Sequence, residues 1–263
     1  MKYGNVKSQQ IYFNVKKRKS DKLTSNILSV ATIFCAIISL FVLSISSIYY
    51  SAEVVGLSMA PSINSSSYFE QENAKNEIAY YTTYKQAKKG DIVIVDYESA
   101  NIREVDAIKR LIAVGGDTIC YYNGSILING KQLTEKYIDD GYEKIKDTKG
   151  KFYADQWKQT GYEISKQNFE NFCQNVIDGI YKKTTFAKNY QTTYDGYIQK
   201  SEVLDTYVLT VPEGYVFFLG DNRGGSIDSS TFGPIEEKYL LVKVDYIVPY
   251  GTNIFSAIWK NLF

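Results

Sequence analysis

The pattern of apolar positions divides the chain near residue 50. The run "ILSVATIFCAIISLFVLSISSIYY", residues 27–50, contains no charged side chain. At about 1.5 Å per residue, a helix of this length crosses a hydrocarbon core of roughly 30 Å. Tyr49 and Tyr50 close the run with aromatic rings of the kind enriched at membrane interfaces. The pattern therefore predicts one N-terminal transmembrane helix over residues 27–50.

The segments on either side of this helix differ in charge. Residues 1–26 form a polar tail rich in lysine and arginine, with Asp21 as its single acidic residue, whereas Glu53 follows the helix. Basic flanks stay on the cytoplasmic side, so we expect a cytoplasmic N-terminus, a single pass through the cytoplasmic membrane and an extracytoplasmic body. A solvated tail that binds nucleic acid weakly is the alternative interpretation of the tail.

A cleaved signal peptide is the competing interpretation of the apolar run. Its apolar region is normally only about 7–15 residues long and is followed by an A-x-A-like cleavage site. Here the run is longer, and no such site follows it. We therefore favour a retained anchor.

Short strand-like runs follow the apolar segment. An Asn-Gly pair predicts a hairpin in residues 121–130, and Pro-Glu-Gly predicts a turn between two strands in residues 207–222. Further strands are predicted at Gly90–Tyr97, Ala107–Val114 and Leu240–Tyr250. Together they indicate a mainly β body over residues 51–134 and 207–252.

Residues 135–206 interrupt this pattern. They are rich in Tyr, Lys, Asp, Gln and Asn, contain no proline and show weak periodicity. A helix is indicated by apolar side chains near helical spacing, at Phe169, Phe172, Val176 and Ile177. We interpret this stretch as an inserted subdomain.

Residues 253–263 form a short apolar tail with one lysine. Two placements are open. The tail either contacts the bilayer surface through Ile254, Phe255, Ile258 and Trp259, or packs on the β body.

The amino-acid composition limits the partners and the reaction mechanisms that are possible. The 263 residues include 30 basic and 29 acidic side chains, a balance that argues against nucleic acid as the main partner. The chain has no histidine, which excludes Ser-His and Cys-His mechanisms and histidine metal sites. Cys35, Cys120 and Cys173 form no CxxC pair, which argues against a zinc cluster; Cys120 and Cys173 either pair or stay unpaired. No cofactor is predicted.

A lysine in an apolar strand is the first candidate for catalysis. Lys109 and Arg110 interrupt the run "AIKRLIAV". Charges in such a run commonly protect an edge strand from aggregation. Alternatively, Lys109 is buried, and desolvation lowers its pKa from about 10.4 towards the range in which a neutral amine acts as a general base.

Two turn-like stretches offer possible partners for this lysine. Ser58 lies in "GLSMAPSIN", residues 56–64, where a simple turn is the ordinary interpretation. The glycine-rich stretch "LGDNRGGSIDSSTFGPI", residues 219–235, is either a surface loop with Asx-turns or a loop that passes close to a buried lysine.

Four stretches, in order behind the apolar run, resemble bacterial type I signal peptidases, the membrane-anchored Ser/Lys endopeptidases that remove signal peptides from exported proteins. They are "SMAPSI" (58–63), "GDIVIV" (90–95), "IKRLIAVGGD" (108–117) and "GDNRGGSIDSSTFG" (220–233). Residues 135–206 lie outside the resemblance, at a position where the family often carries an inserted second domain.

The resemblance implies a role for each matching residue. Ser58 is implied as the nucleophile and Lys109 as the general base, with Ser226 hydrogen-bonded to the Lys109 amine. The supporting residues implied are Asp221, paired with Arg110; Asp228, the second acidic position of its stretch; Met59, beside the nucleophile; and Gly90 and Asp91, as structural residues. The resemblance also implies a shallow apolar substrate pocket lined by Val54, Ile63 and Ile108.

The sequence departs from the family pattern at two informative positions. Ser230 stands where the family usually has arginine, which leaves the partner of Asp228 open. Gly56 stands where some members carry a serine that helps to bind the oxyanion. We therefore expect oxyanion binding by backbone N–H groups, mainly that of Ser58.

The expected protein is mainly β, an antiparallel-sheet Ser/Lys protease core with an inserted smaller α+β region and one N-terminal transmembrane helix. Its expected activity is cleavage of N-terminal signal peptides from exported pre-proteins through an acyl-enzyme. Its expected partners are those signal peptides and the lipid bilayer, and not nucleic acid. The alternatives are a membrane-anchored Ser/Lys protease with another substrate and a catalytically inert surface binding module.

Overall fold

The computed structural model of the chain describes residues 5–69, 74–83, 86–180, 194 and 196–262. Parts of the predicted basic tail (1–4), the inserted segment (181–193 and 195) and the apolar tail (263) lie outside the described residues. The chain forms two compact units, divided between Tyr49 and Tyr50.

The first unit is a single long helix, α1 (Asn5–Ile48). Its segment Lys22–Ile48 is, among the described helices, the one long and apolar enough to cross a membrane. The hydroxyl groups of Ser29, Thr32 and Ser44 donate to carbonyl oxygens four residues earlier, which satisfies these polar groups inside the helix. The helix contains residues 27–48 of the predicted span and ends at Ile48, two residues before the predicted end.

The second unit contains most of the secondary structure. In chain order its strands are β1 (Tyr50–Glu53), β2 (Ile78–Thr82), β3 (Ile92–Val95), β4 (Ala107–Val114), β5 (Thr118–Tyr122), β6 (Ser125–Ile128), β7 (Lys131–Gln132), β8 (Ile198–Ser201), β9 (Thr206–Thr210), β10 (Tyr215–Leu219), β11 (Ile235–Glu236) and β12 (Leu240–Val248). Its helices are α2 (Ser65–Tyr68), α3 (Lys136–Lys149), α4 (Lys151–Ile177), α5 (Ser229–Phe232) and α6 (Ile254–Leu262).

The strands form two antiparallel sheets. The larger has the order β1-β2-β12-β3-β4-β10-β11, and the smaller has the order β7-β6-β5-β9-β8. The predicted hairpin joins β5 to β6 through Asn123 (φ 48°) and Gly124 (φ 73°), since a tight two-residue turn needs positive φ at both positions. The predicted turn after β9 carries the chain from the smaller sheet to the larger one. The mainly antiparallel fold with an N-terminal apolar helix is therefore confirmed.

The inserted segment contributes two helices and a strand. Helices α3 and α4 precede β8, which pairs with β9 at the end of the smaller sheet. The predicted helix is present as α4, and its buried stripe consists of Phe169, Phe172, Cys173 and Val176. Ile177 was expected on the same stripe but is 50% exposed, because it lies one position past Val176 and faces outward.

Helix α4 packs against both sheets. The Phe169 side chain is fully buried, with its ring centroid 5.1 Å from that of Tyr121 on β5 and 6.3 Å from that of Phe217 on β10. The inserted helix is thus part of the main hydrophobic core of the second unit.

The structure shows that the two buried cysteines are unpaired and that the C-terminal tail is partly buried; contact of the exposed side of the tail with the bilayer stays a prediction. Cys120 and Cys173 are both buried free thiols, so they do not pair. In the C-terminal helix α6, Ile254 and Ala257 are buried, whereas Trp259 is 66% exposed. One side of the tail therefore packs on the body.

The packing of α4 yields a stability prediction. Phe169→Ala is expected to lower the free energy of unfolding by ~3–5 kcal/mol, because it removes a buried ring from between the two sheets. Denaturant unfolding of the full-length chain in detergent measures the loss. The matched control, Phe152→Ala, removes a 72% exposed ring from the same helix and is expected to change stability by no more than about 0.5 kcal/mol. Equal effects of the two substitutions would contradict this account of the core.

Candidate active site

Strand β4 carries Lys109 on a buried face of the larger sheet. The strand lies between β3 and β10, with Lys109 opposite Val93, and the Lys109 side chain is buried. Edge protection is therefore the wrong explanation for this lysine. Its Nζ lies 2.8 Å from Ser58 Oγ and 3.0 Å from the carbonyl oxygen of Ile108, within hydrogen-bonding distance of both.

Burial sets the protonation of this amine. Desolvation, the largest cause, lowers the pKa of Lys109 from 10.5 to about 8. The carboxylates of Asp228 and Asp221 act in the opposite direction, and the guanidinium of Arg103 assists the lowering. A substantial fraction of Lys109 is thus neutral near pH 8, hydrogen-bonded to a serine hydroxyl.

The turn that carries Ser58 is held by a buried asparagine. Asn64 has φ 57° and is 1% exposed, and its side-chain amide donates to the carbonyl oxygens of Val54 and Gly56. Its Oδ1 accepts from the N–H of Glu77 at 2.7 Å. Asn64 therefore fixes the backbone that leads into Ser58.

The glycine-rich stretch passes directly behind the turn that carries Ser58. A Cβ atom on Gly220 would collide with the Ser58 carbonyl oxygen and with Ser226 Oγ, so only glycine allows the two backbones to approach this closely. Asn222 donates from its backbone N–H to the Ser58 carbonyl oxygen and from Nδ2 to the Leu57 carbonyl oxygen, each at 3.0 Å.

An ion pair joins this stretch to β4. Arg110 binds the Asp221 carboxylate through Nε at 2.8 Å and through a terminal nitrogen at 2.6 Å, and both side chains are buried. The other terminal nitrogen of Arg110 donates to the Gly90 carbonyl oxygen at 2.7 Å. The two-point contact fixes both the distance and the orientation between the loop and the strand that carries Lys109.

Neutral donors surround Asp228, the position whose partner the sequence left open. Its carboxylate accepts from the N–H of Gly220 at 2.8 Å and from the Ser230 hydroxyl and N–H, at 2.8 and 3.0 Å. Asp228 is also the N-cap of α5. Ser230 therefore supplies hydrogen bonds where the family usually has an arginine.

The expected hydrogen bond between Ser226 and the Lys109 amine is not formed in the structure. The Lys109 Nζ is instead hydrogen-bonded to Ser58 Oγ and the Ile108 carbonyl oxygen, and Ser226 Oγ is buried without a hydrogen-bond partner among the described residues. The orienting role of Ser226 stays a prediction.

The apolar residues expected around the nucleophile lie together. Val54, Met59 and Ile63 belong to one buried cluster, and Ile108 packs against it. The contribution of Val54, Ile63 and Ile108 to substrate binding stays a prediction, since Ile63 is only 1% exposed.

Sequence reasoning missed the contacts made by the start of the insert. Glu135 forms a partly buried ion pair with Arg223, whose Nε donates to the Gly220 carbonyl oxygen. The ring of Tyr137 lies 3.8 Å from the Arg110 guanidinium. The one signal of these contacts in the sequence was Arg223, the single arginine of the glycine-rich stretch. No cluster of side chains suited to a metal ion occurs in the described part of the chain.

Comparisons with known proteins agree on one family. The family described as signal peptidase, peptidase S26, matches residues 26–249. The signal peptidase I of Streptococcus pneumoniae strain R6 is 30% identical over 216 residues, which cover 82% of this chain and 90% of the relative. The signal peptidase I of Aquifex aeolicus is 26% identical over 208 residues, covering 72% and 76%.

A solved structure is also similar. The crystal structure of a signal peptidase I from Enterococcus faecalis aligns with 23% identity and a TM-score of 0.33, covering 61% of this chain and 98% of that protein. Because the family match extends over most of the chain and spans the stretches of Ser58 and Lys109, the chain belongs to the signal peptidase family of serine endopeptidases, peptidase S26.

Proposed function

We propose that the chain cleaves N-terminal signal peptides from exported pre-proteins at the outer face of the cytoplasmic membrane, with Ser58 as nucleophile and Lys109 as general base. One observation carries the proposal: the buried Lys109 amine lies 2.8 Å from Ser58 Oγ. With a pKa near 8, this amine can accept the serine proton, as an ordinary lysine at neutral pH cannot.

The proposed reaction proceeds through an ester. Neutral Lys109 donates one N–H to the Ile108 carbonyl oxygen, which leaves its lone pair directed at the Ser58 hydroxyl proton. As Lys109 takes that proton, Ser58 Oγ attacks the scissile carbonyl. The protonated amine then gives its proton to the leaving amine as the peptide bond breaks, and an acyl-enzyme remains.

Hydrolysis of the ester completes the cycle. Lys109 takes a proton from water, the hydroxide attacks the ester carbonyl, and Ser58 regains its proton as the C–O bond breaks. Each step places negative charge on the carbonyl oxygen. A backbone donor aimed at that oxygen typically contributes ~3 kcal/mol, and the Ser58 N–H is the group we assign to this role.

The sheet leaves room for a substrate strand beside the base. Strand β10 pairs with β4 from Arg110 to Val114, so among the described strands residues 107–109 have a neighbour only on the β3 side. An extended peptide added at this edge runs past Lys109 towards Ser58. We propose that Val54, Ile63 and Ile108 line the pocket that accepts its small side chains.

The orientation in the membrane follows from charge. We propose that α1 is retained as a single-pass anchor, with the basic tail in the cytoplasm and the body outside. The substrate's signal peptide lies in the same bilayer, so an anchored protease meets the cleavage site at the membrane surface.

The dyad is tested by removing each member. Ser58→Ala and Lys109→Ala are expected to reduce pre-protein cleavage by on the order of 10³-fold or more, and Lys109→Arg equally, because a guanidinium does not deprotonate in a protein. Cleavage of a signal-peptide-bearing pre-protein by the full-length chain in detergent measures the loss.

The matched control is Ser62→Ala in the same turn, since Ser62 Oγ has no hydrogen-bond partner in the described structure. It is expected to retain activity. Substantial cleavage by the Ser58→Ala or Lys109→Ala variant, with the fold intact by thermal unfolding, would eliminate the proposed mechanism.

The pH profile tests which group is the base. Because the neutral amine is the active form, kcat/KM is expected to rise with pH through an apparent pKa near 8 and to fall about tenfold per unit below it. Asp228→Asn is expected to shift this ascending limb of the pH profile to lower pH, since the Asp228 charge raises the Lys109 pKa. The exposed-site control Asp155→Asn is expected to leave it unchanged. A limb near pH 4–5 would instead identify a carboxylate base.

The orientation is tested by protease accessibility. A protease added to intact cells without a wall is expected to digest the chain after Glu53 and to spare an N-terminal epitope tag. Permeabilised cells, as the control, are expected to lose the tag as well. Protection of the body with loss of the tag in intact cells would reverse the orientation.

A further inference from the structure

The two peptide groups that flank Ser58 share one partner. The Asn222 backbone N–H donates to the Ser58 carbonyl oxygen at 3.0 Å, and Asn222 Nδ2 donates to the Leu57 carbonyl oxygen at the same distance. The nucleophile is therefore held from both sides by a residue that lies one position after Asp221.

The contact to Leu57 controls the direction of the Ser58 N–H. The C=O of Leu57 and the N–H of Ser58 belong to the same planar, trans peptide group, so they point in opposite directions. A donor that holds the Leu57 oxygen on one side thereby holds the Ser58 hydrogen on the other. The Ala60 N–H also donates to the Leu57 oxygen, at 3.1 Å, but it belongs to the same turn and moves with it. Asn222 is the contact that ties this peptide group to a separate element.

This direction is important because two side chains close to the Ser58 peptide group offer no free donor to the oxyanion. Gly56 has no side chain to offer a hydroxyl, and its φ of 94° disfavours any larger residue. The Asn64 amide is already committed to the carbonyl oxygens of Val54 and Gly56. The Ser58 N–H is the donor that the proposed function assigns to the oxyanion.

We propose that Asn222 is a positioning residue for catalysis, which holds the Leu57–Ser58 peptide group so that the Ser58 N–H faces the oxyanion of the tetrahedral intermediate. The proposal rests on the proposed function of Ser58. Asn222 does not touch the reacting atoms; it acts by fixing the donor before the charge develops, so no reorganisation is needed in the transition state.

The neighbouring Gly225 provides an independent way to disturb this contact. A Cβ atom at Gly225 would lie 2.7 Å from Asn222 Nδ2 and 3.1 Å from its Cγ. Gly225→Ala therefore pushes the amide away from Leu57 while leaving Asn222 itself unchanged. The hydrogen bond to Leu57 can thus be disturbed in two ways, by removing the Asn222 side chain or by displacing it.

The base is independent of this contact. Lys109 Nζ is hydrogen-bonded to Ser58 Oγ and the Ile108 carbonyl oxygen, and Asn222 is not among the groups that shift its pKa. Loss of the Asn222 amide should therefore lower turnover without moving the pH profile, which separates this role from any effect on Lys109.

The test compares Asn222→Ala and Gly225→Ala with the wild-type chain in detergent. Each variant is expected to lower kcat roughly 10- to 100-fold with KM changed less than about twofold, because the contact acts on the transition state. A peptide aldehyde forms a hemiacetal with Ser58 whose oxygen occupies the oxyanion position. Its inhibition constant is expected to rise in parallel with the loss of kcat/KM, and the ascending limb is expected to stay near pH 8.

Asn171→Ala, which removes an exposed amide from α4, is the matched control and is expected to behave as wild type. Given a wild-type chain that cleaves the substrate, the inference is overturned if both folded variants keep the wild-type kcat, or if the loss of activity comes from a raised KM. It is also overturned if the inhibition constant of the aldehyde is unchanged or if the ascending limb of the pH profile moves. Gly225→Ala decides the question if Asn222→Ala does not fold. A wild-type chain that cleaves no signal-peptide substrate would instead refute the proposed function.

Discussion

The burial of one amine is the constraint on which the site depends. Taking Lys109 out of water disfavours its charged form, and this cost brings its pKa to about 8. Burial alone would leave an unsatisfied polar group, so the structure provides the Ile108 carbonyl oxygen and the Ser58 hydroxyl as partners. The packing around β4 supplies the required environment, since the Lys109 side chain is only 4% exposed although β10 pairs with this strand only from Arg110 to Val114.

Three separate segments meet at this amine, and polar contacts between them set their positions. The Arg110–Asp221 pair joins the glycine-rich stretch to β4, and Asn222 joins the same stretch to the nucleophile turn. The start of the insert adds the Glu135–Arg223 pair. Because these contacts act on the same loop, a displacement of the loop breaks several hydrogen bonds at once, and the Arg110–Asp221 pair among them is buried. The loop thus fixes the separation between Lys109 and the turn that carries Ser58.

Most of the fold could be predicted from the sequence, because the patterns that specify strands, turns and helices are local. Strand β4 was predicted with its observed bounds, and the Asn123-Gly124 turn follows from backbone conformation alone. Helix α4 was anticipated from four apolar positions, but one of them, Ile177, is exposed, because a weak stripe does not define the buried face. The pairing of Arg110 with Asp221 was implied by resemblance. The Glu135–Arg223 pair and the hydrogen bonds of Asn222 connect residues distant in sequence, which no local pattern encodes.

Ser230 has a consequence for the electrostatic balance of the site. It satisfies the Asp228 carboxylate with neutral hydrogen bonds, so it adds no positive charge to offset that carboxylate. The negative field of Asp228 therefore reaches the Lys109 ammonium and opposes desolvation. A cationic side chain at position 230 would weaken that field and favour the neutral amine. By carrying serine there, the chain keeps the Lys109 amine more strongly protonated at a given pH, so that any reaction that needs the neutral amine is shifted towards alkaline conditions.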